Sequence, residues 1–267
     1  MSKKIRIDLH NHTTLCNHAT GSVEEYVKRA IELGIDEYGF ACHAPMNFDP
    51  KYRMKLAERN IYEKWVNEAK EKYKDKIKVL LGYEVDFLNG FMLDEILNAN
   101  VDYLIGSVHF LQNKNEMWGF DNPEFIGVYK SVDIDKIWED YFDAIEAMAK
   151  TNYFQIVGHL DLIKVFKFLP KKDVRLIAKN ALKQIKKSNM ILELNPAGLR
   201  KPIEETYPSK ALLEEAFDLG INITFGSDAH SVEHVGFGYS EISSLAKELG
   251  YTKCATFYKK EMNLIEF

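Results

Sequence analysis

The feature that most restricts how this chain can fold is a rhythm. Short β-rich runs alternate with amphipathic helical stretches along its length. "KIRIDLH" sets Ile5, Ile7 and Leu9 against Arg6, Asp8 and His10, a period of two that reads as a strand turning polar at its end. In "GSVEEYVKRAIELG", Ser22 with Glu25 forms a capping box, Val23, Val27, Ala30 and Ile31 share a face, and Gly34 suits a C-terminal stop. The same reasoning predicts strands at "EYGFACH", "IKVLLGYE", "VDYLIGSVH", "FQIVGHLD", "MILELNP" and "INITFGSDAH". It predicts helices over 57–74, 92–99, 135–150, 172–187 and 209–219, and one opened by Ser240 and stopped by Gly250. In 135–150 the inward residues are Ile137, Trp138, Tyr141, Phe142, Ile145 and Met148. "KCATFY" closes the series of strands. Stretches 44–56 and 110–134 read as long aromatic loops of the kind that shape pockets.

Seven or eight βα units with short connections make an α/β protein with a parallel sheet, closed or open. No Gly/Ser linker or charge block divides the chain, so one domain over 1–267 is expected. A hydrophobic content of 46% in 267 residues allows a large core. The net charge of −5 argues against a nucleic-acid or membrane-surface partner, but bound cations would still admit an anionic substrate. The start, "MSKKIRIDLHNH", has too little apolar length for a signal peptide. Cys16, Cys42 and Cys254 form no close pair and suit a reducing compartment, so a cytoplasmic protein is expected.

The ionisable residues collect at the predicted strand ends. The first carries His10 and His12, with His18 just beyond. The others end at His43, at Glu84 and Asp86, at His109, at His159, at Asn195 followed by Arg200, and at Asp228 and His230. In α/β barrels that rim supplies the catalytic groups, and in open sheets it is the ligand edge. Residues two apart project to the same side, so His10 and His12, like Asp228 and His230, can face one point. A lone histidine ending a strand is commonly a structural hydrogen-bonding residue. A whole rim of imidazoles and carboxylates needs cations, because its acids would otherwise repel or take up protons. Cys16 and Cys42 read as buried small residues rather than thiolate ligands, Cys254 as core, and His234 as an ordinary loop histidine. Asp8 and Asp86 suit either orienting carboxylates or plain structural hydrogen bonding.

The segments "DLHNHTT", "CNHATG", "FACHAP", "GYEVDF", "GSVHF", "VGHLDL", "LELNPAGLRKP" and "FGSDAH" resemble the polymerase-and-histidinol-phosphatase (PHP) family of metal-dependent phosphoesterases, over residues 7 to 230. "CNHATGSVEEYV", "CHAP", "IGSVHFL" and "ELNPAGLRK" are similar, more narrowly, to stand-alone histidinol-phosphate phosphatases of histidine biosynthesis. The resemblance implies a distorted (β/α)7 TIM-like barrel with three divalent ions, zinc, manganese or iron, at its C-terminal mouth. It implies one ion on His10, His12, Glu84 and Asp228, a second sharing Glu84 with His109 and His159, and a third on His18, His43 and His230. Cys42 stands where the family often has aspartate, which bears on the support of His43 and on the third ion.

The implied reaction is hydrolysis of a phosphate monoester, L-histidinol phosphate, by a hydroxide held between two ions that share Glu84. Arg200, whose planar fork suits phosphate, is the expected phosphate-binding residue, with Arg53 in the 44–56 loop as a second. Asp228 or His230 would assist the leaving alkoxide. Three other readings fit the same rim: a different phosphoesterase of the family acting on phosphotyrosine or nucleotides, a metal-dependent amidohydrolase, and a non-catalytic metal-stabilised barrel. "ELNPAGLRK", with its arginine, favours phosphate over amide chemistry.

Overall fold

The computed structural model describes residues 4–113 and 116–267. Seven parallel strands run β1 (Ile7–Asp8), β2 (Glu37–Phe40), β3 (Lys78–Asp86), β4 (Tyr103–Ser107), β7 (Ile156–Val157), β8 (Ile191–Leu194) and β9 (Ile223–Phe225), neighbours in that order. Between β4 and β7 lies a separate antiparallel hairpin of β5 (Phe110–Asn113) and β6 (Glu116–Gly119). The first and last strands of the parallel sheet meet. Leu9 N–H donates to the Phe225 carbonyl (2.8 Å), Asp228 N–H to His10 (2.8 Å) and His12 N–H to Ala229 (3.0 Å), with a parallel bridge from Asn11 to Ala229. These bonds close the sheet into a distorted α/β barrel.

The helices α1 (Val23–Glu32), α2 (Arg59–Tyr73), α3 (Asp94–Leu97), α4 (Ile134–Lys150), α5 (Val174–Lys187), α6 (Lys210–Asp218) and α7 (Tyr239–Leu249) follow the predicted order. The Ser22–Glu25 capping box forms, and the predicted inward face of α4 is buried throughout. Tyr103 crosses the barrel interior, and its hydroxyl donates to the Leu9 carbonyl at 2.6 Å. A Cβ at Gly39 would lie 2.1 Å from that hydroxyl, and one at Gly82 would lie 2.6 Å from the ring. Both positions therefore require glycine for space.

Three expectations need correction. "KCATFY" forms β10 (Lys253–Tyr258), but it pairs antiparallel with β11 (Glu261–Glu266) and stays outside the parallel sheet. Its apolar run looks like any buried strand's; what pairs with it depends on the turn at 259–260, which leads straight into β11. This hairpin closes the N-terminal end of the barrel: Ile5 N–H donates to Glu266 O (2.8 Å) and Thr224 Oγ1 to Ala255 O (2.9 Å). The 110–134 stretch is more regular than expected, with the β5–β6 hairpin and a 3-10 helix over Pro123–Ser131. The strands at "KIRIDLH" and "INITFGSDAH" are shorter than predicted. Their last residues pair irregularly with each other and carry the side chains that reach the mouth.

Candidate metal centre

Glu84, near the end of β3 and 1% exposed, is the hub of the mouth. Five imidazoles reach its carboxylate. Its Oε2 lies 2.9 Å from His43 Nδ1, 3.3 Å from His10 Nε2 and 3.7 Å from His12 Nε2. Its Oε1 lies 3.0 Å from His159 Nε2 and 3.7 Å from His109 Nε2, and it accepts from Ser107 Oγ at 2.7 Å. Asp228 Oδ1 sits 3.1 Å from His12 Nε2 and 3.4 Å from His230 Nδ1. The His18 ring lies 4.6 Å from His230 and 5.3 Å from His43. All nine residues expected to hold ions are thus brought to one mouth. His234 lies beyond them in the 3-10 turn Val232–His234. The backbone is bent for the purpose at two of the nine: Asp228 (φ 53°) and His159 (φ 23°) adopt positive φ, which non-glycine residues rarely do.

The donor set fits cations. His10 Nδ1 lies 2.7 Å from Glu193, His109 Nδ1 lies 2.6 Å from Asp86, His18 Nδ1 lies 2.8 Å from Cys16 O and His230 Nδ1 lies 3.2 Å from Asp228 O. An oxygen acceptor at Nδ1 holds the ring hydrogen there and leaves the Nε2 lone pair free, the tautomer that ligates metal. His10 Nε2, His43 Nδ1, His230 Nε2 and Glu84 Oε2 are buried with no hydrogen-bond partner. His43 Nδ1 and Glu84 Oε2 are 2.9 Å apart yet not aligned to bond each other. Buried polar atoms left so are costly unless something else occupies the shared space. Ligand atoms of His10, His12 and Glu84 gather within 4.8 Å of one another, as do those of His43, Glu84 and His109 and those of His12, His43 and His230. His43 therefore stands between Glu84 and His230, and not only beside His18.

Protons do the balancing when no cation is bound. Burial alone would raise Glu84, but His43 and His10 hold its carboxyl well below the usual range. Burial opposes charge on His10, yet Glu193, Glu84 and Asp228 raise it well above an ordinary histidine. Burial likewise opposes His12 and His109, but Asp228 lifts the first to about 9 and Asp86 the second to about 10. Burial, with the charge of His12 adding to it, pushes His43 down to about 4 and His230 well below its usual value. Burial also opposes ionised Asp228, but His10 and His12 keep its carboxyl well below the usual range. A cation entering this cluster displaces protons.

The remaining residues divide clearly. Asp86 holds His109, so it orients an imidazole. Asp8 is structural: it accepts from Ser227 N–H (2.9 Å), Ser227 Oγ (2.6 Å) and Gly236 N–H (3.1 Å), tying β1 to the loops after β9. Asn195 bridges Glu193 (3.1 Å) and Asp228 (3.3 Å). Arg200 ends the 3-10 turn Ala197–Arg200, lies 4.5 Å over the Phe237 ring and donates to the carbonyls of Ser227 and Asp228 at 3.1 Å each. Its Nη1 has no partner. Arg53 has partners that the sequence did not show. Its Nε donates to Asp49 O (2.6 Å), Nη1 pairs with Asp86, and Nη2 lies 3.6 Å from the Asp49 carboxylate. At 4% exposure it anchors Asp86. Cys16, Cys42 and Cys254 are fully buried, as expected.

The sequence reading missed Glu193 and Ser107. Glu193 supports His10 and also accepts from the His159 N–H at 2.9 Å. Both residues carried a signal: Glu193 stands two before Asn195 and Ser107 two before His109, hence on the same side of their strands. Asp121, just after β6, was also missed. Burial raises its carboxyl, against the pull of His109 and His159 nearby.

A parallel barrel with imidazoles and acids converging at its C-terminal mouth defines a class of metal-binding α/β barrels. Within that class the chain belongs to the PHP domain family, whose family model matches residues 8–197; one described as PHP-associated matches 213–249. The chain is similar to the Deinococcus radiodurans protein named "Probable histidinol-phosphatase", 36% identical over 96% of this chain and 97% of the relative. It is 29% identical to the Bacillus subtilis "Histidinol-phosphatase", over 87% of this chain and 96% of that protein. The fold is shared with the Lactococcus lactis histidinol phosphate phosphatase solved with zinc, L-histidinol and phosphate: TM-score 0.79, 23% identity, 98% of this chain and 99% of that one covered.

Proposed function

We propose that this chain is a metal-dependent histidinol-phosphatase, converting L-histidinol phosphate and water to L-histidinol and inorganic phosphate, a step of histidine biosynthesis. The observation that carries the chemistry is the gathering of five imidazoles on Glu84, with free lone pairs and unpartnered buried atoms facing one space. The relatives that bear the histidinol-phosphatase name support the substrate.

His10, His12, Glu84 and Asp228 would hold one divalent cation, Glu84, His109 and His159 a second, and His18, His43 and His230 a third. Bound there, the cations neutralise phosphoryl charge and lower the pKa of water. Arg200 binds a phosphate oxygen through Nη1, while its Nη2 stays anchored to the Ser227 and Asp228 carbonyls. Asp228, whose carboxylate would also face the cation, would accept a proton from the attacking water and return it to the alkoxide oxygen of the departing L-histidinol. Glu193 and Asp86 hold the rings of His10 and His109 in place. Asp121, whose carboxyl feels the charge of His109 and His159, would meet a basic group of the substrate.

A substrate panel tests this reading. Reconstituted protein should release phosphate from L-histidinol phosphate with a kcat/KM on the order of 10²-fold above that for phosphotyrosine peptides or nucleoside monophosphates. Equal turnover across the panel would return the protein to an unspecified phosphoesterase.

A further inference from the structure

We infer that the Cys16 sulfur is a ligand of the cation placed at His18 and His230. The inference rests on the proposed function only in taking that third cation to exist. Cys16 ends the 3-10 turn Thr14–Cys16, which starts two residues after His12 and ends two before His18. Its Sγ, one nitrogen of His18 and one of His230 all lie within 4.8 Å of one another. A second such group joins the same sulfur to His12 and Cys42. The surroundings are built rather than accidental. Cys16, Cys42 and His12 are each 0% exposed. His12 turns Nε2 to Asp228, and its Nδ1 is buried with no hydrogen-bond partner; His230 Nε2 is likewise unpartnered. His18 spends Nδ1 on the Cys16 carbonyl, so its Nε2 is the free nitrogen.

Of the two thiols, Cys16 is the one that gathers with His18 and His230. Cys42 Sγ accepts from Thr13 N–H (3.4 Å) and Thr13 Oγ1 (3.3 Å) and lies 3.6 Å from Thr13 O. That bonding ties the residue before His43 to the residue after His12. Cys16 is left to face His12, His18 and Cys42. On binding, the thiol loses its proton to solvent and the thiolate becomes a donor. A sulfur among imidazoles selects zinc, iron(II) or cobalt over manganese, because soft thiolate matches the softer ions. It also fills a coordination place. The third ion is then held more like a structural ion than an open catalytic one.

Cobalt-exchanged protein provides the test. The fully loaded protein should show a near-ultraviolet thiolate-to-cobalt charge-transfer band, which Cys16→Ser abolishes and Cys42→Ser retains. Zinc X-ray absorption on the unaltered protein should show a sulfur scatterer at about 2.3 Å, a measurement independent of whether either variant folds. In competition between equal zinc and manganese, Cys16→Ser should lower the zinc-to-manganese ratio by at least about tenfold, the lower edge of the cost of losing even a supporting partner. A fully loaded protein with no band and only nitrogen and oxygen around zinc overturns the inference, as does a band that survives Cys16→Ser. The two readings fail separately. Protein that hydrolyses L-histidinol phosphate without a sulfur neighbour loses only the Cys16 ligand. Protein with the sulfur neighbour and no hydrolysis keeps that ligand and loses the phosphatase.

Discussion

On β8, Ile191 is buried with Ile7, Leu9, Ile105, Ile156 and Phe225, while Glu193, two residues further along the same strand, meets His10 and His159. The chain makes the same change just past β1, between Leu9 and His10, and between Ile156 in β7 and His159 beyond it. The lower half of the barrel is closed by apolar packing and by the β10–β11 hairpin, where Phe257 lies against Tyr103 and Phe267 against Phe225. Each fully buried aliphatic there contributes roughly 1.5–3 kcal/mol without needing a partner. The upper half buries ionisable groups at a desolvation cost that only their mutual contacts, or cations, offset. One end of the barrel is therefore complete as a folded protein, and the other is complete only with its ligands.

Substitutions at the two ends should separate accordingly. Glu84→Gln removes the charge that five imidazoles share, so bound metal should fall away and kcat/KM should drop on the order of 10³-fold. Elemental analysis beside phosphate release checks it, and a fully metallated, fully active variant would break the contrast. Arg200→Ala should lower kcat/KM by a factor on the order of tens to 10² with metal content intact, since its hydrogen bonds go to the backbone carbonyls of Ser227 and Asp228 and its guanidinium lies over Phe237. An unchanged kcat/KM removes it from the mechanism. Glu193→Gln should weaken metal affinity by about 10–100-fold, because it orients His10 without reaching the ions itself. Its test is activity against metal concentration, where saturating metal should restore most of the turnover. Ile191→Ala, one step down the same strand, should cost about 2–5 kcal/mol of unfolding free energy. The metal affinity of the protein that remains folded should not change. If calorimetry and metal titration instead move together in that variant, the two halves are one cooperative unit.

Much of the site was legible because the imidazoles and acids collect just past the strand ends, although His10, His12, Asp228 and His230 lie beyond β1 and β9 and the positive φ of Asp228, rather than a strand's period of two, helps to set their directions. The helices were legible for a similar reason: Ser22 with Glu25, or the stripe from Ile137 to Met148, is decided within a few turns of chain. Glu193 was harder to see, because an acid inside an apolar strand looks the same whether it faces solvent or an imidazole 183 positions away. Arg53 was legible as a cation in a mouth loop, but its bonds to Asp49 and Asp86 were not. "KCATFY" looked like another barrel strand until the turn after it supplied β11 as its partner. By itself the sequence determined which residues end strands, which faces the helices bury and which donor atoms are available, since these depend on local periodicity and side-chain chemistry. Only the tertiary structure decided which distant strands become neighbours, and therefore that Glu84 is shared, that Glu193 lies beneath His10 and that Cys16 stands beside His18 and His230. Those contacts depend on register and closure around the barrel, which no single stretch of chain encodes.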